Sequence, residues 1–467
     1  MLTGTPYFAL KKLSSFFFEK SKFLIALQVY LRKMEITSDS STSLDPPPCV
    51  RGMKVLDRNA FKKTINVPYF EINSSSTAET LKILRCYLLK LENFKPLQVV
   101  ETKKHVILNP LKFKDYDVLT EIKKQTLADI GVTEESLKWK KLELNYENWK
   151  AESILKSVLP SNLPGVSGYS LIGHILHLNL REHLNEYKEL IAQVLLDKIK
   201  GVTTVVNKVN IIDSTYRNFK MELLAGENSM KVKVKENGST FEFDFSEVYW
   251  NPRLCTEHAR IVEKLKSGDT LYDVFAGVGP FAIPAAKKKC NVLANDLNPH
   301  SFQWLCSNSK LNKVGHLLQM YNLDGRDFVR TVVKPHITEQ WRECLSKIPR
   351  NFHVVMNLPA SAVEFLDVFK GLFEDEDANV RDSAVMPVIH CYCFTKEATL
   401  TKAAVSMVEQ VLECSLTSDS QLEVLHVRSV APNKEMMRVT FTMPREILFK
   451  NNCESNIEPS PKKLRLN

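Results

Sequence analysis

The stretch Asp273-Val-Phe-Ala-Gly-Val-Gly-Pro-Phe281, followed by the acid Asp296 in Leu-Ala-Asn-Asp, constrains this chain more than any other. Leu271 to Phe275 is a short apolar run that suits a buried parallel strand, and Gly277 and Gly279 permit a tight turn into a helix beginning near Pro280. A backbone bare of side chains at that turn lets a ligand come close. Spacing alone fits two cofactor classes. Gly277-Val-Gly-Pro-Phe-Ala282 satisfies the dinucleotide pattern, and Asp296 stands where an acid would meet the ribose of either cofactor. Charge separates them. A dinucleotide sets its pyrophosphate at the helix N-terminus, where Asp273 would repel it, whereas S-adenosylmethionine carries a sulfonium and an ammonium that a carboxylate attracts. The stretch therefore reads as the cofactor half of a Rossmann-like methyltransferase. A plainer alternative, with the glycines serving only a turn and Asp296 only capping a helix, stays open on this motif alone.

Further signals lie downstream. Asp324-Gly-Arg-Asp327 follows a candidate third strand around Leu317 to Tyr321, where Asp324 and Gly325 could meet an adenine edge. Phe352-His-Val-Val-Met-Asn-Leu-Pro359 places an apolar strand before Asn357, and Pro359 is expected to open a helix running through Phe365 and Phe369. Ligands of open α/β sheets gather outside the carboxyl ends of the strands, so Asn357 would emerge beside the reactive carbon of the cofactor. The ordinary alternative for an Asn before a helix is an N-cap.

The run Val248-Tyr-Trp-Asn-Pro-Arg-Leu-Cys-Thr-Glu-His-Ala-Arg-Ile261, taken with Asp-Val-Phe-Ala-Gly-Val-Gly-Pro-Phe, Asn-Asp-Leu-Asn-Pro and Asn-Leu-Pro, resembles the archaeal and eukaryotic tRNA (guanine-37, N1)-methyltransferases over roughly Pro160 to Pro444. The resemblance implies a class I Rossmann-like methyltransferase domain, preceded by a small α/β (α+β) middle domain and an N-terminal recognition domain. It implies transfer of a methyl group from S-adenosylmethionine to N1 of guanine-37 of tRNA, the first step of wybutosine synthesis in tRNA-Phe and a support of the reading frame. Glu257 then corresponds to the general base, Arg217 in Asp213-Ser-Thr-Tyr-Arg217 to the cation that stabilises charge on O6, and Asn357 to the amide that holds the target base. By the same resemblance His258, Asp273, Gly277, Gly279, Asp296, Leu297, Asp324, Gly325 and Asn357 line the cofactor, while Tyr249, Arg253 and Pro359 meet the substrate. His258 stands where the family often uses an Arg.

Each position also has a structural alternative. Glu257 would favour the dipole at the start of a helix, Arg217 could meet a phosphate or a surface acid, and Tyr249 could belong to a core. Two other functions remain open: an aminocarboxypropyl transfer from the same cofactor, and a noncatalytic RNA-binding protein that retains the cofactor fold.

Composition sets outer bounds. The 467 residues, 44% hydrophobic, suffice for two or three domains, and a net charge of +9 spread along the chain suits a nucleic-acid partner. Ten cysteines include no C-x-x-C pair, so neither a zinc site nor a disulfide framework is expected, and no other metal motif is seen. The expected division is a targeting segment and unpacked linker at 1–48, a recognition domain at 49–160, a middle domain at 161–247, the methyltransferase domain at 248–445 and a basic tail at 446–467. The first 34 residues hold Lys11, Lys12, Lys20, Lys22, Arg32 and Lys33 against Glu19 alone, which resembles a mitochondrial targeting segment. Met34 offers an internal start, so matrix, nuclear and cytoplasmic pools are expected, of a monomer. A helix is expected over Thr77 to Asn93, a hairpin about Asn237-Gly238, and a final antiparallel edge strand at Glu435 to Met443.

Overall fold

The computed structural model describes residues 43–166, 168–212, 219–344, 351–397, 399–417 and 420–449. The expected targeting segment, the expected basic tail from residue 450 onward and Arg217 lie outside the described residues. The described residues fall into two compact units, one within Met1–Ser167 and Arg181–Lys200, the other within Gly168–Leu180 and Gly201–Asn467.

In the first unit, β1 (Lys63–Ile72), β2 (Leu97–Val100), β3 (Lys103–Ile107) and β4 (Leu137–Leu144) form an antiparallel sheet in the order β2-β3-β1-β4. Phe70 and Ile72 point from β1 into one core, whereas Ile65 and Val67, of the opposite parity, are buried on its other face. The helix expected over Thr77 to Asn93 is only α1 (Thr77–Ile83); the chain then turns so that Leu88 can bridge Leu108. α2 (Glu121–Asp129) follows, then α3 (Ala151–Val158) and α4 (Lys188–Lys198). Leu184, Tyr187, Ile191, Val194 and Ile199 recur at helical spacing, and all but the half-buried Ile199 are buried; residues 181–200 belong to this unit, where Asp197 accepts from Tyr146 Oη at 3.0 Å and from Arg58 Nη2 at 2.7 Å. The expected middle domain is thereby divided. The proline end of the expected linker is packed rather than loose: Pro46 and Pro47 are buried, and Lys63 Nζ donates to the carbonyls of Ser43 at 2.9 Å and Asp45 at 3.0 Å. Proline loses little freedom on ordering, which makes such packing inexpensive.

The second unit begins with a sheet of β5 (Tyr169–Ile172), β6 (Ile175–Leu178), β7 (Thr204–Ile212) and β8 (Phe219–Gly226). The hairpin β9 (Lys231–Glu236) and β10 (Ser239–Asp244) turns at Asn237 and Gly238, both with positive φ as a two-residue turn of this kind requires. It stands as its own two-stranded sheet instead of extending the first. Its apolar face, Val232, Phe241 and Phe243, packs with Trp250 into the core beneath the cofactor loop.

α5 (Cys255–Lys264) leads into the large sheet, built from β11 (Thr270–Asp273), β12 (Asn291–Asn295), β13 (Leu318–Tyr321), β14 (Phe352–Met356), β15 (Val388–Thr395), β16 (Glu423–Ala431) and β17 (Lys434–Thr442) in the order β13-β12-β11-β14-β15-β17-β16. β11 to β15 run parallel, and β17 is antiparallel to both its neighbours. β17 is therefore an inner strand, and β16 is the edge. Its residues from Met436 to Phe441 are all buried, a state an edge strand does not reach. Between strands lie α6 (Ala282–Lys287), α7 (Pro299–Leu311) and, after β15, α8 (Leu400–Leu412). No α-helix opens at Pro359; turns and a 3-10 helix, Glu364–Phe369, occupy that stretch.

Two asparagines replace missing ladder bonds. Asn308 of α7 donates to the carbonyl of Glu242 at 3.1 Å and accepts from its amide at 2.8 Å, closing one side of β10. Asn295, fully buried at the end of β12, donates to the carbonyls of Val274 at 3.1 Å and Leu323 at 3.0 Å and accepts from the Leu323 amide at 2.9 Å. One side chain thus joins the ends of three neighbouring strands. Asn295→Leu strands those buried groups, at roughly 1–3 kcal/mol for each lost partner. The expected outcome is a fall of about 5–10 °C in the melting temperature of purified protein, measured by scanning calorimetry.

Candidate active site

Because β11, β12, β13 and β14 are parallel, their carboxyl ends share one edge of the sheet, and Asp273, Asp296, Asp324 and Asn357 are delivered there. Gly277 has φ +55° and Gly279 φ +100°, conformations that L side chains rarely adopt. A side chain on Gly279 would also strike Leu305 at 2.7 Å, whereas the space beside Gly277 is open toward a ligand. The half-buried Asp296 holds this loop: Oδ2 accepts from the Gly277 amide at 2.7 Å and Oδ1 from the Asn298 amide at 2.9 Å. It does not cap α7, which Asn298 does through its own bond from the His300 amide at 3.0 Å. A carboxylate has about four acceptor positions, so Asp296 retains capacity for hydroxyl donors.

Asp273 is fully buried, and among the described residues neither carboxylate oxygen has a hydrogen-bond partner. Burial, and then the charge of Asp296, push it well above the usual carboxylate range, with the nearby Phe275 amide offsetting a part. Burial raises Asp296 to about 6. Two neighbouring acids whose charge is disfavoured form a place where a cation is stabilised. Asn357 Oδ1 is likewise buried without a partner among the described residues, at the mouth of β14. Orphaned carboxylate oxygens, an open glycine turn and an orphaned amide oxygen on one edge fit the cationic S-adenosylmethionine rather than an anionic dinucleotide.

Asp324 accepts from the Arg326 amide at 2.8 Å and caps a short helix, Gly325–Phe328. Gly325 is closely packed: a Cβ there would stand 3.0 Å from Phe275 and Phe365, whose rings meet edge to face at 5.1 Å and would have to give way. Leu297 is an exposed apolar side chain beside Asp296, and Pro359 is half-buried beyond Asn357. Tyr249 is half-exposed and accepts from Asn251 Nδ2 at 3.3 Å; it is not a core residue. Arg253 is exposed, and its charge lowers both His177 and Arg428, after burial in each case, so a basic group gathers there.

Glu257 is in the first turn of α5 and buried. Its Oε1 accepts from Tyr392 Oη at 2.9 Å and Arg438 Nη1 at 2.5 Å, and its Oε2 from Arg260 Nη1 at 3.2 Å. Its contacts therefore go well beyond the helix dipole. His258 Nδ1 pairs with Glu236 Oε1 at 2.6 Å, and its ring meets Phe281 edge to face at 4.7 Å. Phe281 lies in turn 6.3 Å from the Tyr392 ring, so the Glu257 network and the glycine loop share one aromatic wall. The sequence reading missed Asn295, Glu236, Tyr392 and Arg438. Arg438 did leave a signal, being a charge within an apolar strand that can be buried only if paired. Among the described residues no group of three or more His, Cys, Asp or Glu could hold a metal ion.

Comparison with known proteins agrees with this arrangement. The TRM5/TYW2 methyltransferase domain matches residues 232–418, and the TYW2 N-terminal domain matches residues 151–229. A tRNA (guanine(37)-N(1))-methyltransferase of Drosophila pseudoobscura pseudoobscura is 47% identical over 87% of this chain and 92% of its own length. The enzyme of that name from Danio rerio is 46% identical over 94% of this chain and 93% of its own. The solved complex of aTrm5 and tRNALeu shares the fold at 24% identity and a TM-score of 0.56, covering 81% of this chain and 100% of that one. With such identity sustained across both units, the chain belongs to the tRNA (guanine(37)-N(1))-methyltransferase family.

Proposed function

We propose that this chain transfers a methyl group from S-adenosylmethionine to N1 of the guanine at position 37 of tRNA. The observation that carries the reaction class is the buried, partnerless Asp273 carboxylate beneath the glycine loop; membership of the family supports the substrate. The aminocarboxypropyl alternative uses the same cofactor, and relatives 47% identical over most of the chain favour methyl transfer.

Guanine N1 carries a proton at neutral pH, and its lone pair is unavailable until a base takes that proton and charge spreads to O6. Glu257 is the proposed base. Oε1 is committed to Tyr392 and Arg438, which leaves Oε2, bonded among the described residues to the half-exposed Arg260, as the oxygen to receive the proton. Arg217 is the proposed O6 cation on the family motif alone, since it lies outside the described residues. Asn357 is proposed to hold the base edge through its amide, with Tyr249, Arg253 and Pro359 around the nucleotide. Asp273 is proposed to bind the cofactor's ammonium, Asp296 its ribose, and Asp324 and Gly325 its adenine, with His258 and Leu297 flanking them. The cofactor supplies a methyl group on a sulfonium. The chain's own task is to align N1 with that carbon in a dry site.

The basic, acid-poor first 34 residues support delivery to the mitochondrial matrix, with a start at Met34 supplying nuclear and cytoplasmic pools. We take the working unit as a monomer, which light scattering of the purified protein tests.

Purified protein with methyl-labelled cofactor and two tRNA transcripts, carrying guanine or adenine at position 37, is expected to yield one methyl at N1 of guanine-37 and none on the adenine transcript, mapped by nuclease digestion and mass spectrometry. An aminocarboxypropyl adduct, or no transfer to either transcript, would remove the reading. Glu257→Gln is expected to slow single-turnover transfer by roughly 10²- to 10⁴-fold with tRNA and cofactor affinities kept, and to recover in part at higher pH as N1 ionises. Cofactor affinity is expected to depend on pH with a fixed sign. Asp273 and Asp296 are raised in the free protein, and a bound cation favours their ionised forms, so binding releases protons. Affinity then rises with pH through the region near 6, by up to roughly tenfold per pH unit for each proton released. Calorimetry in buffers of different ionisation enthalpy checks this, and a pH-independent affinity would refute it.

A further inference from the structure

Glu257 is a charged group taken almost wholly out of water, and donors from three elements converge on it: Tyr392 from β15, Arg438 from β17 and Arg260 from the next turn of α5. The surrounding charges form a chain. Arg438 is itself 1% exposed, its Nη2 donates to Glu423 Oε1 at 3.0 Å, and Glu423 Oε2 accepts from Lys264 Nζ at 2.6 Å. His258, the next residue along α5, is occupied by Glu236, and His390 on β15 is near enough to Arg438 to be lowered by its charge after burial and His353. Burial works against the Arg438 charge, but Glu257, followed by Tyr392, outweighs it and raises the guanidinium.

An ion pair at such depth is a poor device for stability alone, because well-packed apolar residues of the same volume often do as well or better. It is well suited to another task. A carboxylate that accepts a proton must enter the reaction ionised, and a carboxylate buried without a counter-charge takes a proton up beforehand. The bonding is also asymmetric: the two buried donors meet at Oε1, and among the described residues a half-exposed arginine is what touches Oε2.

We propose that Arg438, assisted by the Tyr392 hydroxyl, is a positioning residue that keeps Glu257 ionised and aims Oε2 at the guanine, so that the last strands of the sheet prepare the base carried by α5. The proposal rests on Glu257 being the base, as set out above.

The test is the pH profile of the single-turnover rate at saturating tRNA and cofactor, for the full-length protein and for Arg438→Met, Arg438→Lys, Tyr392→Phe and Glu257→Gln. Saturation removes the titration of Asp273 and Asp296 from the rate, and circular dichroism with cofactor affinity confirms that each variant is folded. Arg438→Met is expected to be slowed about 10²-fold at pH 7, to move its acidic limb up by about one pH unit or more, and to recover most of the rate at high pH. Arg438→Lys, which keeps the charge, is expected to hold the limb within about 0.5 unit, and Tyr392→Phe to move it upward by less than the methionine variant does. If Arg438→Met does not fold, Tyr392→Phe and Arg438→Lys decide the matter. A folded variant lacking either donor whose rate falls equally at every pH, with the acidic limb in place, would overturn the proposal. A Glu257→Gln variant of near-normal rate would instead remove the base assignment itself, and that outcome is visible independently of the other variants.

Discussion

Four adjacent parallel strands must bring their carboxyl ends to the same edge of a sheet, and the rest of this site follows from that requirement. The residues that leave β11, β12, β13 and β14 cannot pair in the ladder, so each must find another partner or await a ligand. Asn295 resolves most of this demand internally by serving Val274 and Leu323 at once. With its neighbours tied, the edge can carry acids at fixed positions. Asp273 and Asp296 are the result, the first with no partner and the second spent partly on the glycine turn.

The unit handles buried carboxylates in two opposite ways. Asp273 is left without donors, so the low local dielectric opposes its charge and makes an arriving cation the group that satisfies it. Glu257 receives donors from three elements and a full counter-charge within the protein. A group meant to hold a cation is best left short of donors, whereas a group meant to take a proton from a neutral base must already be ionised when the substrate arrives. That contrast supports the division of roles more directly than the proximity of either residue to the glycine turn does.

Much of this was legible beforehand, for identifiable reasons. The strand, glycine turn and acid from Leu271 to Asp296 are local in sequence, and the parallel strands that surround them read as continuous apolar runs. Asn237-Gly238 specified its hairpin because only positive φ closes a turn of that length. Contacts between distant segments were not legible. No local pattern announces that Asn308 will close β10, or that Asn295 will bind residues on either side of its strand. The position of β17 was misjudged for a related reason: alternation suggested one wet face, and only the neighbours β15 and β16 determine that both faces are covered. The expected helix after Pro359 fails where turns and a 3-10 helix set Phe365 against Phe275.

The inner position of β17 has a mechanical consequence. Had the chain laid its last strand at the edge, Arg438 could have reached water, and a solvated guanidinium is a weak partner for a buried acid. Inserted between β15 and β16, Arg438 is enclosed with Tyr392 on one side and Glu423 on the other, and its charge is directed at Glu257 through a medium that screens it little. Glu257 and Arg438 are 181 residues apart in the chain, so the carboxylate on α5, which meets Arg260 within its own helix, gains the buried Arg438 charge only once the sheet is complete. The buried cation beside Glu257 is thus a product of the finished sheet, which is where Asp273, Asp296 and Asn357 also take their places.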